Sequence, residues 1–422
     1  MKPKSFMLIA GEASGDLLAA ELVQAVRDEL AAAGAIPTPD YQPLYASLEP
    51  RFFGAGGPRM AAAGVELAFD MTAHSLIGLS DAVKHYFKFR RLFHQLRRLA
   101  LEREPDALIC VDFSGFNRRF AHEIKSYVRL HLDWFHDWDP KVVQYVSPQV
   151  WASRESRVYQ MARDYDLVLS TFAFEKEWYA KRVPKLRVEF VGNPLVDRYG
   201  NCKAAAPQSS AGAAYLAPEG KAKVVLLPGS RRAELLRHVP VLAEVARRIN
   251  DVQPASFRMV LPDESLADLA RRLLDGAPAI EIQTGNLDQA LRQADLAVTK
   301  SGTITLECAC FGVPAVVFYK TSMLTYMAGK HLVNVKHLAM PNLLANETIF
   351  PEFVQGEATP ENISRAALEL LRDQRRQQQV KAKLAQIIPS LGGAGASRRA
   401  ARAIVRLLEP RLAPTSELAP AA

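Results

Sequence analysis

The chain has 422 residues, 49% hydrophobic and 23% charged, values of an ordinary globular protein that exclude intrinsic disorder. Its length predicts two domains. The formal charge of +8 is moderate and unevenly placed, which points to an anionic surface or ligand, and no nucleic-acid partner is expected.

Met1 to Lys4 is basic, but Ser5 to Ala10 (SFMLIA) is too short for the apolar core of a secretory signal. It reads as a buried parallel strand. Gly11-Glu12-Ala13-Ser14-Gly15-Asp16 follows, then a helix from Leu17 to Leu30. Strand, small-residue turn and helix predict a ligand-facing loop at a sheet's carboxyl edge. The third glycine of a dinucleotide fingerprint is missing, which argues against NAD. Residues 37–50 carry four prolines and read as a surface loop. Arg51 to Ala55 is a short strand before Gly56-Gly57-Pro58-Arg59-Met60.

From Leu76 to Leu99 the chain is basic and amphipathic. Phe87, Phe89, Leu92, Phe93 and Leu96 interleave with Arg90, Arg91, Arg97 and Arg98. Such a helix fits an anionic membrane surface or a solvated face over a domain core, and both readings stand. No apolar run reaches the length of a membrane span. Ala107 to Val111 is a buried strand with Asp112 at its carboxyl end. A carboxylate there is either a general base facing the crevice or the N-cap of a helix beginning near Asn117. Leu130 to Pro140, with Trp134, His136 and Trp138, reads as a surface loop without metal-ligand spacing, and no metal is expected. Lys141 to Val146, Leu167 to Ser170 and Val188 to Val191 are further strands. Residues 199–223, rich in Ala, Gly, Ser and Pro, read as a linker.

A second alternation starts at the strand Val224 to Leu227. Gly229 and Ser230 offer backbone donors and Arg231 a planar cation, a set suited to a diphosphate. Strands Phe257 to Leu261, Ile280 to Gln283, Leu296 to Thr299 and Ala315 to Phe318 complete this sheet. Between the last two, Ser301-Gly302-Thr303 opens a short helix carrying Glu307, placed to take ribose hydroxyls. The alternative is that Gly302 only permits a turn and Glu307 only complements the dipole. From Glu361 the chain is helical and basic, and Arg411 to Ala422 is expected to be disordered. Cys110, Cys202, Cys308 and Cys310 lack metal-ligand spacing and read as reduced thiols of a cytoplasmic protein.

The expected organisation is a first domain over 1–198, a linker over 199–223, a second domain over 224–390, and a C-terminal helix and tail over 391–422. The fold class is α/β: two Rossmann-like doubly wound domains facing a central cleft, the GT-B architecture of glycosyltransferases. Seven motifs occur in order: AGEASGD (Ala10 to Asp16), GAGGPRM (Gly54 to Met60), YVSPQVWA (Tyr145 to Ala152), FVGNPLVD (Phe190 to Asp197), LLPGSRRAE (Leu226 to Glu234), SGTITLE (Ser301 to Glu307) and MPNLLANE (Met340 to Glu347). Together they resemble the lipid-A-disaccharide synthase family, glycosyltransferase family 19. The resemblance makes the first domain the acceptor-binding domain and the second the UDP-sugar-binding domain.

The resemblance implies transfer of 2,3-diacylglucosamine from UDP to 2,3-diacylglucosamine 1-phosphate, with inversion. It implies Asp112 as base, and Gly229, Ser230, Arg231, Ser301, Gly302, Thr303, Glu307 and Asn342 as the UDP site. Glu12, Ser14, Asn117, Ser147, Gln149 and Arg157 are assigned to the acceptor side of the cleft. No cofactor is implied. The acyl chains imply peripheral contact with the cytoplasmic face of an inner membrane, and a homodimer is allowed. The chain departs from the pattern at Gly115, where some relatives carry a second aspartate, and at Ala152-Ser153-Arg154, where Ala-Trp-Arg is frequent. Two other activities fit the same fold: another UDP-N-acetylglucosamine-type transferase or epimerase, and a non-catalytic sugar-nucleotide or lipid-binding protein.

Overall fold

The structure is a computed structural model that describes residues 3–34, 49–72, 82–200, 221–274, 279–322, 326 and 335–409, without the side chains of 82–86 and 88. Most of the proline-rich loop, residues 73–81 with the start of the basic stretch, most of the linker with Cys202, Lys330 and His331, and the tail from 410 lie outside the described residues.

Seven strands form the first sheet: β1 (Ser5–Ala10), β2 (Arg51–Gly56), β3 (Glu66–Asp70), β4 (Ala107–Val111), β5 (Lys141–Tyr145), β6 (Leu167–Ser170) and β7 (Val188–Phe190). Six form the second: β8 (Ala222–Leu227), β9 (Ala255–Leu261), β10 (Ile280–Thr284), β11 (Leu296–Lys300), β12 (Ala315–Tyr319) and β13 (Glu352–Val354). The first runs β3-β2-β1-β4-β5-β6-β7, the second β10-β9-β8-β11-β12-β13. The strand pairs are parallel, in registers such as Ile9 with Cys110 and Val298 with Leu226. Parallel strands need crossovers, and their helices cover both faces, so the central strands are apolar throughout. β4 is buried at every position.

The two sheets repeat one topology. In each, strand order reverses beside the first strand, at β1/β4 and at β8/β11. Loops leaving two such strands diverge to opposite faces and open a crevice at the carboxyl edge. Four sequence motifs occupy these places: residues 11–16 and 112–117 in the first half, 228–234 and 301–303 in the second.

The helix Ala396–Leu408 returns to the first half. Its Ala400, Ala401, Ala403 and Ile404 share a core with Phe6, Leu8 and Val143. Arg399 Nε donates to Val191 O at 2.7 Å, and Arg402 pairs with Glu29 at 2.9 Å. A fully buried aliphatic side chain such as Ile404 stabilises by about 1.5–3 kcal/mol, so this helix is an integral part of the first domain's core. The core of the first half therefore draws on Ala400 to Ile404 as well as on residues within 1–198.

The loop at 130–140 is only partly a surface loop. Trp134 is 99% exposed, whereas Trp138 is buried and donates from Nε1 to Pro105 O at 3.0 Å.

Candidate active site

Asp112 stands where β4 ends. The following helix, Ser114–His131, starts at Ser114 with Phe113 as its N-cap and no side-chain cap bond, so Asp112 does not cap it. Asp112 (φ 46°) and Phe113 (φ 44°) are both left-handed, and so is Val146 (φ 65°) at the end of neighbouring β5. Two successive non-glycine residues there, with a β-branched one opposite, are backbone strain that surrounding bonds must hold. The bonds are present. Asp112 N donates to Tyr145 O at 2.9 Å. Asn117 Nδ2 donates to Asp112 O at 2.9 Å, and Gln144 Nε2 reaches Val146 O at 3.1 Å and Asp112 O at 3.3 Å.

Asn117 and Gln144 are both fully buried. Asn117 therefore cannot meet an acceptor directly; it shapes the turn that presents Asp112. Gln144 was not singled out from the sequence, although a lone amide inside an apolar strand (KVVQY) is a usable signal, because a buried polar group needs partners.

The first loop packs on this turn. A Cβ added at Gly11 would lie 2.3 Å from the Phe113 ring, so only glycine allows the approach. Asp16 is buried and accepts from Gly57 N at 2.7 Å, Arg59 N at 3.0 Å and Met60 N at 3.0 Å. It binds the first and second motifs together and is spent on architecture. Ser14 is exposed in the first turn of the helix Ala13–Gly34.

Glu12 crosses to the second half: its Oε1 accepts from Arg231 Nη2 at 2.7 Å. Asp112 feels both. Burial raises its carboxyl above the ordinary carboxylate range, Glu12 raises it further, and the Phe113 backbone donor and Arg231 oppose the rise. One acid, one ion pair and two strand-order reversals thus meet at a single point.

On the second half, Gly229 has φ +126° and Glu234 lies against it. Ser230 N donates to Glu234 Oε2 at 3.0 Å, and Lys300 Nζ lies 3.2 Å from Glu234 Oε1. The Ser230 donor expected for a diphosphate is thus engaged by the Glu234 carboxylate. Lys300 joins the turns at 228–234 and 300–303 and adds a cation absent from the sequence reading. His238 braces the floor: Nδ1 is 2.6 Å from Pro228 O and Nε2 3.0 Å from Lys320 O.

At the other turn the helix is short, Ile304–Cys310, and Ser301 N is committed to Phe318 O at 3.0 Å. Ser301 is therefore not an available backbone donor, while Gly302 and Thr303 remain at the turn. Glu307 is half-buried, accepts from the Tyr199 hydroxyl, and its carboxyl is raised by burial against the pull of Tyr199 and Arg198.

Asn342 does not fit the expected ligand role. It is fully buried; its Nδ2 donates to Phe350 O at 2.8 Å and Glu352 Oε1 at 2.6 Å. Its Oδ1 accepts from Ile349 N at 2.9 Å and Phe350 N at 2.8 Å. The amide is saturated and holds the segment after the MPNLLANE motif. Ser147 is likewise buried, 3.1 Å from the Tyr179 hydroxyl. Gln149 is exposed and lies 3.8 Å from Met340 Sδ, across the two halves. Arg157 is half-buried in a cluster of arginines.

Beneath the Tyr145–Ala152 motif lies Glu175, fully buried, with its carboxyl pushed up to about 7 by burial against bonds from Ser170, Trp151 and Phe172. Ser170 Oγ is 2.6 Å from both Phe172 O and Glu175 Oε2. One hydroxyl proton cannot serve both, so a protonated Glu175 donating to Ser170 completes the set. A carboxyl raised on folding contributes stability below its unfolded pKa and loses it as pH rises through the folded value. Unfolding stability should therefore fall between about pH 4.5 and 7 by at most ~3 kcal/mol from this group. Glu175→Gln should flatten that interval in urea titrations; an unchanged pH slope contradicts the protonated state.

The basic amphipathic helix spans Ala82–Arg103. Phe87 is 61% exposed, whereas Phe89 packs against the first-half core and so does not face outward. Arg97 pairs with Glu123 at 2.8 Å and Arg98 with Glu102 at 2.6 Å, so the charge of both is offset locally, while Arg98 stays exposed. Arg90 and Arg91 are exposed. Among the described residues no helix is long and apolar enough to cross a membrane.

The family model described as lipid-A-disaccharide synthetase matches residues 6–405. A lipid-A-disaccharide synthase of Trichlorobacter lovleyi is 35% identical over 412 residues, covering 97% of this chain and 98% of its own. Among solved structures, the UDP co-structure of S. aureus MnaA has a TM-score of 0.58 at 14% identity, covering 96% of this chain and 97% of its own. MurG of Acinetobacter baumannii has a TM-score of 0.52 at 15% identity, covering 96% and 100%. The architecture is thus that of GT-B glycosyltransferases and epimerases. A family model matched over residues 6–405, together with a relative 35% identical along nearly the whole of both chains, places this chain in the lipid-A-disaccharide synthase family of glycosyltransferases.

Proposed function

We propose that the protein transfers 2,3-diacylglucosamine from UDP to the 6-hydroxyl of 2,3-diacylglucosamine 1-phosphate. The products are UDP and a β-1,6-linked disaccharide 1-phosphate, with inversion at the anomeric carbon. The observation that carries the reading is the Glu12–Arg231 bond, which brings the diphosphate-type turn of one half beside Asp112 of the other.

Asp112 takes the proton of the acceptor hydroxyl as that oxygen attacks. Its raised carboxyl makes it a stronger base once ionised, and the strained turn fixes its direction. The C–O bond to the diphosphate breaks on the opposite face. Charge developing on the leaving oxygen is met by Arg231, Lys300 and the turn at Gly229-Ser230. Arg231 must leave Glu12 to do this, and Glu234 must yield the Ser230 donor. Glu307, raised by burial and shared with Tyr199, is placed to accept from ribose hydroxyls. A UDP complex is known for a protein of the same fold, which supports the nucleotide side of the reading. The test is UDP release that depends on the 1-phosphate acceptor; release without it counts against transfer.

We also propose peripheral contact with an anionic membrane through Phe87, Arg90 and Arg91, with the protein on the cytoplasmic face. Changing Arg90 and Arg91 to Glu should weaken binding to anionic vesicles by about 30-fold or more, each basic residue contributing about 1 kcal/mol. The same change at Arg97 and Arg98, already paired, should have less effect. Equal effects would sink the assignment.

A further inference from the structure

Several arginines of the first half are neutralised. Arg97, Arg98, Arg103, Arg129, Arg163 and Arg182 each meet a carboxylate. Arg118, Arg119, Arg154 and Arg157 do not: none has an acidic partner in the ion pairs of the described residues. The acids beside them are engaged elsewhere, Glu155 with Arg182 and Asp164 with His122, Arg129 and Arg163. The four are close enough to oppose one another. Arg157 is held below the ordinary guanidinium range by burial and then by Arg154, Arg118 and Arg119. Like charges gathered without a counter-ion cost Coulomb energy that a bound anion would reverse.

The cluster is built rather than incidental. Arg118 Nε is buried without a hydrogen-bond partner, while its Nη1 is fixed on Gln160. Arg154 sits at φ 58°, a left-handed turn that a non-glycine residue seldom adopts. Arg118 and Arg119 lie in the first turns of the helix that begins directly after Asp112. Arg154 precedes, and Arg157 opens, the helix Arg157–Asp164 in the connection after β5, the strand beside β4. All four therefore gather at the carboxyl edge that presents Asp112.

We propose that Arg118, Arg119, Arg154 and Arg157 bind a phosphate monoester, the anomeric phosphate of the acceptor sugar, and so set its direction with the attacking hydroxyl toward Asp112. The inference rests on the transfer reading for the identity of the acceptor. Guanidinium groups suit this ligand because their paired donors match two phosphate oxygens at once.

The test uses the full chain and glucosamine 1-phosphate, the acceptor's head group without acyl chains, in calorimetric titrations. Arg118→Gln/Arg157→Gln should weaken its binding by about 100-fold. Arg118→Lys/Arg157→Lys should retain part of it, and UDP affinity should be unchanged in both, which reports an intact fold. Unphosphorylated glucosamine should not distinguish the variants. Equal glucosamine 1-phosphate binding by wild type and the glutamine variant overturns the site, as does no binding by a wild type that still binds UDP. The two readings fail separately. Arginine-dependent head-group binding without disaccharide formation removes the transfer reading and leaves the site. Disaccharide formation whose preference for the phosphorylated acceptor survives in the glutamine variant removes the site and leaves the transfer reading.

Discussion

Asp112→Asn is expected to lower turnover by about 10³-fold while UDP binding persists, because a positioned general base contributes roughly 10²–10⁴-fold. Asparagine keeps the shape and loses only the proton acceptor. The backbone that aims the side chain is held by the side-chain amides of Asn117 and Gln144, which donate to Asp112 O, and by Tyr145 O, which accepts from Asp112 N; none of these bonds needs the carboxylate. A loss below about tenfold would remove Asp112 as base. The pH profile adds a second readout. Turnover per encounter should rise with pH as Asp112 ionises, with the limb above the ordinary carboxylate range, since burial and Glu12 both raise it. Glu12→Gln deletes one of these causes and should shift the limb to lower pH.

Arg231→Ala should cost about 10²–10³-fold in turnover, the scale found when one donor to a developing charge is removed. The loss should fall mainly on turnover and less on donor affinity, because charge on the diphosphate grows as the bond breaks. The variant has a further consequence across the cleft. Arg231 favours the ionised form of Asp112, so its removal should move the pH limb upward. Arg231→Lys should recover part of the rate, as a point charge without the planar fork. A variant whose turnover is intact and whose donor affinity alone falls would assign Arg231 to ground-state binding only.

The central strands were legible because parallel strands covered on both faces must be apolar, as in SFMLIA, ALICV and AVVFY. Two of the four edge strands, β3 and β13, were not: ELAFD is partly exposed throughout and β13 is a three-residue, partly exposed strand, so neither carries a continuous apolar pattern. The helix Ala396–Leu408 showed its apolar face but not the partner of that face, which only packing on β1 and β5 discloses.

At the site, strand-end position and small-residue turns revealed Asp112, Gly229 and Arg231, since loops at a parallel sheet's carboxyl edge follow from strand order alone. Asn342, Asn117 and Ser147 looked like ligands because polar residues in motifs read alike whether they face a substrate or brace a loop. Burial separates the two. Gln144, Lys300 and, apart from Arg157, the arginine cluster were missed for a related reason: their meaning depends on neighbours distant in sequence, such as Glu234 for Lys300 and Arg118 for Arg157.

The most direct measurement is UDP release from UDP-2,3-diacylglucosamine, with and without 2,3-diacylglucosamine 1-phosphate, alongside analysis of the sugar product. The proposed function predicts that UDP appears only when both are present, in step with a β-linked disaccharide. UDP release at the same rate without acceptor, or recovery of an epimerised sugar in place of disaccharide, would contradict it.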